Sequence, residues 1–580
     1  MRRFLIGILL IGCQLTLCTA QQLTVRVDSV GQLARLLPDS IRYSISELKV
    51  CGPLDNSDLR LLQTIAGRVK PKHAKGHRLQ VLDLSEASIT DDKGVVGKTR
   101  TDVMPSALFL NCKDLERIVL PATLTEIARS CFSGCTSLKM VEMPETLKLI
   151  GEYAFHDCQN LADITLPSCL EIIKEHAFEE CTSLKCIDIP ERVTQIEAYA
   201  FNKCDMLETV NIEGRINRVD NAVFARCKHL KSIVLPHSVT YIGSEAFKGC
   251  EAVDSLDIPE TLSEIGTNAF ENCQSLKYVK LGTATSIGNE AFKGCSNINS
   301  FVTEGVKRIG IGALQNCSNL QEVIINGSLQ AISSETFSGC TSLTSITIPA
   351  SIRSIGKRAF ANCRSLKTIE LPSSLSRIDD EVFIQCASLT NVHIPKLTKQ
   401  LGRGAFRNCI SLDSVYIEGF VEKLDDDVFH YCHSLRVVQL PVSIKSVGDN
   451  AFGECTSLYA VNLPISISSI GNNAFEKCTS LTTMIIPAAC TQIGSAAFRD
   501  CNGLIRIELP TALKKIGGNA FTRCVSLREI SFSSPTPPSF SSSTFRNVIL
   551  EACTLTVPKG FRINYETDKT LKKTGKIIEQ

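Results

Sequence analysis

The sequence has no tryptophan, almost no net charge and, after its first 20 residues, no long apolar run. Its 62 basic and 60 acidic residues leave a net charge of +2, so it lacks the basic surplus with which nucleic-acid-binding proteins neutralise phosphates. No later run approaches the roughly 20 apolar residues that cross a bilayer, which predicts that no transmembrane segment is present. Hydrophobic residues make up 44% of the chain, which suits a large core and excludes wholesale disorder.

Residues 1–20 have the pattern of a secretory signal peptide. Two arginines precede a short apolar run, and small residues end the segment at Ala20. A second interpretation stays open, because segment 10–13 (LIGC) is similar to a bacterial lipobox, in which Cys13 would be acylated and anchor the protein. Both interpretations predict a protein that leaves the cytoplasm, secreted or held at the cell surface.

Cysteine is abundant: the chain has 27. In a small secreted protein this count would indicate a disulfide framework, but this chain is long. Nineteen of the cysteines recur every 23 residues, with two intervals of 22, which identifies a repeat protein. The nineteen are Cys112, Cys135, Cys158, Cys181, Cys204, Cys227, Cys250, Cys273, Cys295, Cys317, Cys340, Cys363, Cys386, Cys409, Cys432, Cys455, Cys478, Cys501 and Cys524.

The other positions of the repeat keep the same phase. Phenylalanine stands three residues before each of these cysteines except at Leu314. In the block 366–386, Ile369 and Leu371 alternate with outward residues as a short strand, and Pro372 ends it. A Leu-x-x-Ile pair then turns the corner, followed in many coils by a glycine that permits a backbone turn. The segment Ala-Phe-x-x-Cys places its apolar residues on one face of a short helical turn.

One such coil cannot bury its apolar side chains alone, whereas stacked coils share a continuous core. The repeat therefore predicts an α/β repeat solenoid of about 19–20 coils, with short parallel strands and short helical turns. Side chains at equivalent positions of adjacent coils run parallel, about 4.8 Å apart, whereas disulfides need converging side chains. We therefore predict that the nineteen cysteines form a column of unpaired buried thiols, called the thiol ladder below. Zinc binding is the alternative, but structural zinc needs four ligands at one point.

The repeat register also predicts the division of the chain. We expect a signal peptide at 1–20, an N-terminal capping region with a degenerate repeat at 21–104, the solenoid at 105–532 and a C-terminal cap at 533–580. Within the caps the pattern predicts a short helix near Leu33, strands at 45–50, 79–85 and 554–560, and a capped helix after Ser57.

The repeat unit L-x-x-I-x-L-P-x-S-L-x-x-I-G-x-x-A-F-x-x-C resembles the BspA-like, or Treponema pallidum type, leucine-rich repeat, over residues 105–532. The ends resemble those of bacterial members at 81–85 and 555–560, although the closing tryptophan often found there is missing. The resemblance implies a curved, right-handed solenoid with its strands on the concave face. It also implies a secreted or surface protein of host-associated bacteria, since some members are adhesins for host extracellular proteins. The family motif carries no catalytic residues.

Strand residues between the apolar positions are expected on the exposed concave face, where solenoids bind their partners. Exposed aromatic residues among polar ones are typical interface anchors. The best candidate contacts are Tyr278 with Lys280, and His393 with Tyr416, with Glu370 in the same column. The alternative is that these are ordinary exposed strand residues.

These features predict a protein-binding module for host or neighbouring-cell proteins, including extracellular matrix and serum proteins, with no cofactor. Two alternatives stay open: a structural cell-envelope protein, and an enzyme with a site in the N-terminal cap. His430 and His433 flank Cys432 and suggest a metal pair, but that cysteine belongs to the thiol ladder. The acidic runs 91–92 and 425–427 suggest calcium, but a calcium site needs six or more oxygens from a shaped loop.

Overall fold

The computed structural model of the protein describes residues 22–68, 79–91, 100–256, 258–281, 283–303, 305–326 and 328–580. The chain divides into two compact units, Met1–Ala284 and Thr285–Gln580. The predicted signal peptide at 1–20, with Cys13, lies outside the described residues.

Most regular coils of the first unit begin with a short parallel strand, which we call the first strand. Thr209–Ile212 pairs in register with Cys186–Ile189 before it and with Ser232–Val234 after it. Val210 and Ile212 point into the core and are buried, while Thr209 and Asn211, which alternate with them, are exposed. This alternation is the pattern that the sequence predicts.

A second strand of two residues follows in each coil, where the sequence predicts only a corner. Arg218–Val219 pairs in parallel with Tyr241–Ile242, and Val219 is buried while Arg218 is exposed. Sequence reasoning missed this second sheet because a two-residue strand has one inward side chain and shows no alternation.

The helices of the first unit are Leu33–Leu36, Asp39–Arg42 and Asn56–Ile65. Its N-terminal and first strands are Gln22–Arg26, Glu47–Leu54, Val81–Asp83, Ala87–Ile89, Arg117–Val119, Met140–Glu142, Cys186–Ile189, Thr209–Ile212, Ser232–Val234, Ser255–Leu256 and Tyr278–Lys280. Its second strands are Val103–Met104, Glu126–Ile127, Leu149–Ile150, Ile172–Ile173, Gln195–Ile196, Arg218–Val219, Tyr241–Ile242 and Glu264–Ile265.

The second unit is built from the same coil. Its first and closing strands are Ser300–Thr303, Glu322–Ile325, Asn391–Ile394, Ser414–Ile417, Val437–Gln439, Thr483–Ile485, Arg506–Leu509, Glu529–Phe532, Thr554–Val557 and Lys576–Glu579. Its second strands are Ser286–Ile287, Arg308–Ile309, Ala331–Ile332, Ser354–Ile355, Arg377–Ile378, Gln400–Leu401, Lys423–Leu424, Ser446–Val447, Ser469–Ile470, Gln492–Ile493 and Lys515–Ile516. Its helices are the α-helix Arg562–Glu566 and the 3₁₀-helices Leu550–Ala552 and Leu571–Lys573.

The return segment of each coil is a short turn, closed by a bond between residues three apart, and it does not extend into a regular α-helix. The Cys409 N–H donates to the carbonyl of Phe406, three residues back, at 3.1 Å. The N–H groups of Phe406 and Asn408 donate instead to Val428 and His430 of the next coil. The backbone therefore satisfies its polar groups partly within a turn and partly between coils, which a regular helix would not do.

The phenylalanine column forms the centre of each unit. Consecutive rings from Phe109 to Phe270, and from Phe337 to Phe545, are stacked with centroids 5.1–5.7 Å apart. In the second unit Leu314 interrupts the column. There Phe301 of a first strand packs edge-on against Phe292, with centroids 5.5 Å apart, and supplies the missing aromatic contact.

All nineteen cysteines of the thiol ladder are buried beside this column. Those from Cys135 to Cys273 and from Cys317 to Cys524 are free thiols. Each Sγ donates to the backbone carbonyl at the phenylalanine position one coil earlier, at 3.0–3.3 Å. A buried thiol thus packs as a small hydrophobe and also gives its weak donor a partner.

The glycine after the second strand is needed because two successive coils approach each other closely there. The sequence suggested a different reason, namely a backbone turn. A Cβ on Gly494 would lie 2.4 Å from the carbonyl carbon of Gly471 in the coil before. A Cβ on Gly243 would lie 2.6 Å from the carbonyl carbon of Asp220. Glycine is required because the neighbouring backbone occupies the space of a side chain.

The ends of the chain cover the core with short helices. The helix Asn56–Ile65 begins with a capping box, in which the Asp55 side chain accepts from the N–H groups of Ser57 and Asp58. At the other end, buried Tyr565 donates its hydroxyl to the carbonyl oxygen of Ser534 at 2.6 Å. No helix within the described ranges has the length and apolar character needed to span a bilayer.

Candidate functional site

The outward residues of the first strands form one exposed surface in each unit, the first-strand face. In the first unit its large apolar residues are Met140, Val234 and Tyr278, which lie in separate coils that are not adjacent to one another. Tyr278 is 63% exposed, and its strand pairs with Ser255–Leu256. The side chain of Lys280, its predicted companion, lies outside the described part of the chain.

In the second unit the structure brings His393 and Tyr416 together. They are register partners in adjacent first strands, and their ring centroids lie 5.2 Å apart at an interplanar angle of 54°. Nε2 of His393 lies 3.5 Å from a carboxylate oxygen of Glu418. Glu370 is exposed on the same face one coil earlier, where its backbone bridges to Thr347.

A group of exposed apolar side chains on successive coils lies next to this pair, and sequence reasoning missed it. It lies mainly in the loops that precede the second strands of four successive coils. Val442 and Ile465 are each 82% exposed there, which is extreme for branched aliphatic side chains. We call this surface the apolar patch; its residues are Leu397, Tyr416, Phe420, Val442 and Ile465.

Direct contacts between loops hold the apolar patch together. Gly419 approaches the carbonyl oxygen of Thr398 so closely that a Cβ would lie 2.5 Å from it. The Ser443 hydroxyl donates to the carbonyl of Val421 at 2.9 Å, and the Ser466 hydroxyl donates to the loop before it at 2.7 Å. The apolar side chains of these loops are therefore neighbours on a hydrogen-bonded scaffold.

Two residues of the apolar patch differ in type from the residues at the same repeat position in other coils, and this difference is visible when the repeats are aligned. The residue after the strand-ending proline is Glu145, Ser168 or His237 in coils of the first unit and polar or small in most coils of the second, but it is Val442 and Ile465 in two consecutive coils of the second. Apolar residues at a solvated loop position in consecutive coils are the signal that could have located the surface. This loop position is not part of the first strand, so the pattern of strand residues does not include it.

The histidines around Cys432 do not converge. Nδ1 of His430 lies 3.2 Å from a carboxylate oxygen of Asp427, while Nδ1 of His433 lies 3.0 Å from the carbonyl oxygen of Glu454. Burial lowers the pKa of His430, and the nearby Asp427 charge partly opposes this. Among the described residues, no group of three or more His, Cys, Asp or Glu side chains is arranged to hold a metal ion.

The acidic run 425–427 is likewise occupied by contacts within the protein. Asp425 pairs with Lys423 at 2.6 Å, and Asp427 pairs with Arg403 at 2.9 Å. The Asp426 carboxylate accepts the backbone N–H of Asp449 at 2.9 Å. These three side chains stabilise turns and neighbouring coils. In the run 91–92, Asp92 lies outside the described residues.

Parallel coils of about 23 residues with a buried column of apolar residues define a leucine-rich repeat solenoid. The chain belongs to the BspA-type leucine-rich repeat family: the model of the BspA type leucine-rich repeat region, six copies long, matches residues 102–231, 218–340, 307–436 and 422–551.

Solved structures of bacterial leucine-rich repeat proteins are similar to this chain. A leucine-rich repeat protein from Bacteroides ovatus is 28% identical, with a TM-score of 0.51, over 65% of this chain and 92% of that one. A leucine-rich cell surface protein from Faecalibacterium prausnitzii is 24% identical, with a TM-score of 0.31, over 62% and 88%. The T. pallidum leucine-rich repeat protein is 22% identical, with a TM-score of 0.20, over 40% and 79%. No curated protein sequence matches the chain.

Proposed function

We propose that the protein is a secreted or cell-surface module that binds a host or neighbouring-cell protein through the first-strand face and apolar patch of its second unit. The observation that carries this proposal is the apolar patch. Exposed apolar side chains scattered singly are normal on protein surfaces, but contiguous ones next to a polar face are typical of protein-binding sites.

The composition of the patch favours a protein partner. Aromatic and aliphatic side chains such as Phe420 and Ile465 are anchors that a partner can desolvate, and His393 with Glu418 adds polar contacts beside them. The balanced net charge of +2 gives nucleic acid no electrostatic advantage. A hydrophobic core with a polar rim is the ordinary arrangement of protein interfaces.

The proposed location rests on the leader pattern at 1–20, with cleavage after Ala20 or lipid attachment at Cys13. The proposed partners are extracellular matrix or serum proteins. Binding, with no catalytic role, is proposed because the repeat residues of the coil are explained by packing and by bonds between coils.

We expect a pull-down from serum and matrix extracts, with the chain from Gln21 to Gln580 as bait, to capture a protein through the apolar patch. The double variant Phe420→Asp, Val442→Asp should lower affinity for the captured protein at least about tenfold, because a buried interface anchor contributes roughly 2 kcal/mol. Titration of the identified protein against both baits by surface plasmon resonance measures the difference.

Val234→Asp is the matched control, since Val234 is 64% exposed but lies on the first-strand face of the first unit. It should bind like the unmodified chain. Capture of no protein at several salt concentrations, or equal affinity of the patch variant, would refute the proposal.

A further inference from the structure

The N-terminal region contains a polar cleft, separate from the apolar patch, with a volume of about 510 Å³. This size lies within the range of small-molecule sites, which is about 300–1,000 Å³. One wall is the helix Asn56–Ile65, and the facing wall is the segment around Pro105 and Ser106.

Helical spacing explains why polar side chains line one wall. Asn56 lies four residues before Arg60, and Gln63 and Thr64 lie three and four residues after it, so the four residues share one broad helix face. The opposite face carries Leu59, Leu62 and Ile65, which are buried in the core. The polar face is thus presented to the cleft by the packing of the apolar face.

Hydrogen bonds fix the two walls relative to each other. Nε2 of Gln63 donates to the carbonyl oxygen of Leu108 at 2.6 Å. Nη1 of Arg68 donates to the carbonyl oxygen of Ala107 at 2.6 Å. These contacts hold the two walls together, and the Arg68 side chain remains exposed.

The charge of the cleft is positive. Arg60, Arg68 and Arg100 line it, and none of its lining residues is acidic. Glu126 neutralises Arg100, and Arg68 bonds to a neutral carbonyl. Within the described part of the chain, no carboxylate pairs with Arg60 or Arg68. Two guanidinium groups beside amide and hydroxyl groups suit the tetrahedral oxygens of a phosphate or sulfate.

We propose that this cleft binds a small ligand that carries a phosphate or sulfate ester, with Arg60 and Arg68 contacting its charged group. The cleft is larger than one such group, so the rest of the ligand lies along Asn56, Gln63 and Ser106. A sugar phosphate and a sugar sulfate share this chemistry and are distinguished by experiment.

Isothermal titration of the chain from Gln21 to Gln580 with glucose 6-phosphate, glucose 6-sulfate and glucose tests the proposal. We expect saturable binding of at least one ester and no binding of glucose. The ester that binds more tightly shows whether the ligand carries a phosphate or a sulfate. Arg60→Gln should weaken binding about tenfold, because a charge-assisted bidentate contact is lost.

Arg35→Gln is the control, since Arg35 is an exposed arginine on another helix of the same region. It should change the affinity less than about twofold if binding is specific to the cleft. No saturable binding of either ester, or equal weakening by the two substitutions, would overturn the proposal. The outcome is independent of the apolar patch, whose variants should bind the ester normally.

Discussion

Replacing Phe383 by alanine is expected to lower the free energy of unfolding by about 3–5 kcal/mol. The ring is fully buried and stacks between Phe360 and Phe406, with centroids 5.5 and 5.2 Å away. Its removal leaves a cavity and breaks the column that joins successive coils. Denaturant unfolding followed by circular dichroism measures the loss as a shift of the transition midpoint.

Phe420→Ala is the matched control, because the same side chain is removed from a position that is 57% exposed. We expect a change within about 0.5 kcal/mol, as for other surface substitutions. Equal losses for the two variants would contradict the assignment of the phenylalanine column to the core.

Gly517→Ala is expected to destabilise the chain by about 2–3 kcal/mol, the upper range for overpacking a tight contact. A Cβ at this position would lie 2.3 Å from the backbone nitrogen of Ser495 and 2.5 Å from the carbonyl carbon of Gly494. Both atoms are backbone, so the neighbouring coil would have to move. Thermal and denaturant unfolding should both show the loss.

The adjacent Gly518 supplies the control, since a Cβ there would meet only the hydroxyl oxygens of Ser543 and Ser541, at 3.4 and 3.5 Å. Gly518→Ala should be neutral or stabilise by up to about 1 kcal/mol, through the lower entropy of the unfolded chain. If Gly517→Ala proved as harmless as Gly518→Ala, the close approach of the coils would be wrong.

The family and the repeat were predictable because several positions of the coil have the same structural role in every repeat. Phenylalanine and cysteine recur at the buried positions of the coil, as at Phe383 and Cys386. The alternation of apolar and polar residues locates the first strands. The second strands were missed because each has a single inward residue, such as Val219. The hydrogen bonds from the return turns to the next coil could not be predicted, because residue spacing within one coil does not reveal a partner in another.

The candidate surface was predictable only in part. The pairing of His393 with Tyr416 follows from repeat register, since equivalent residues of adjacent strands become neighbours. The exposure of Phe420 and Val442 depends on loop geometry, because an apolar residue in a loop is buried or exposed according to how the loop folds back. The N-terminal cleft joins a helix of the capping region to the start of the first repeat, as in the bond from Gln63 to Leu108 across 45 residues, and this contact follows no repeat spacing.

The cysteines of the thiol ladder should not react with alkylating reagents in the folded protein. Burial raises the pKa of Cys340 and Cys386 to about 12, so the reactive thiolate is scarce at neutral pH. Cys186, by contrast, is exposed on a first strand. The two classes of cysteine should therefore differ sharply in alkylation rate.

The most direct test is alkylation without reductant, before and after denaturation, with each cysteine followed by peptide mass spectrometry. We predict that Cys186 reacts quickly in the folded protein, and that the ladder cysteines react only after unfolding but then without any reductant. Ladder cysteines that react as fast as Cys186 in the folded state, or that need a reductant once unfolded, would contradict a column of buried, unpaired thiols.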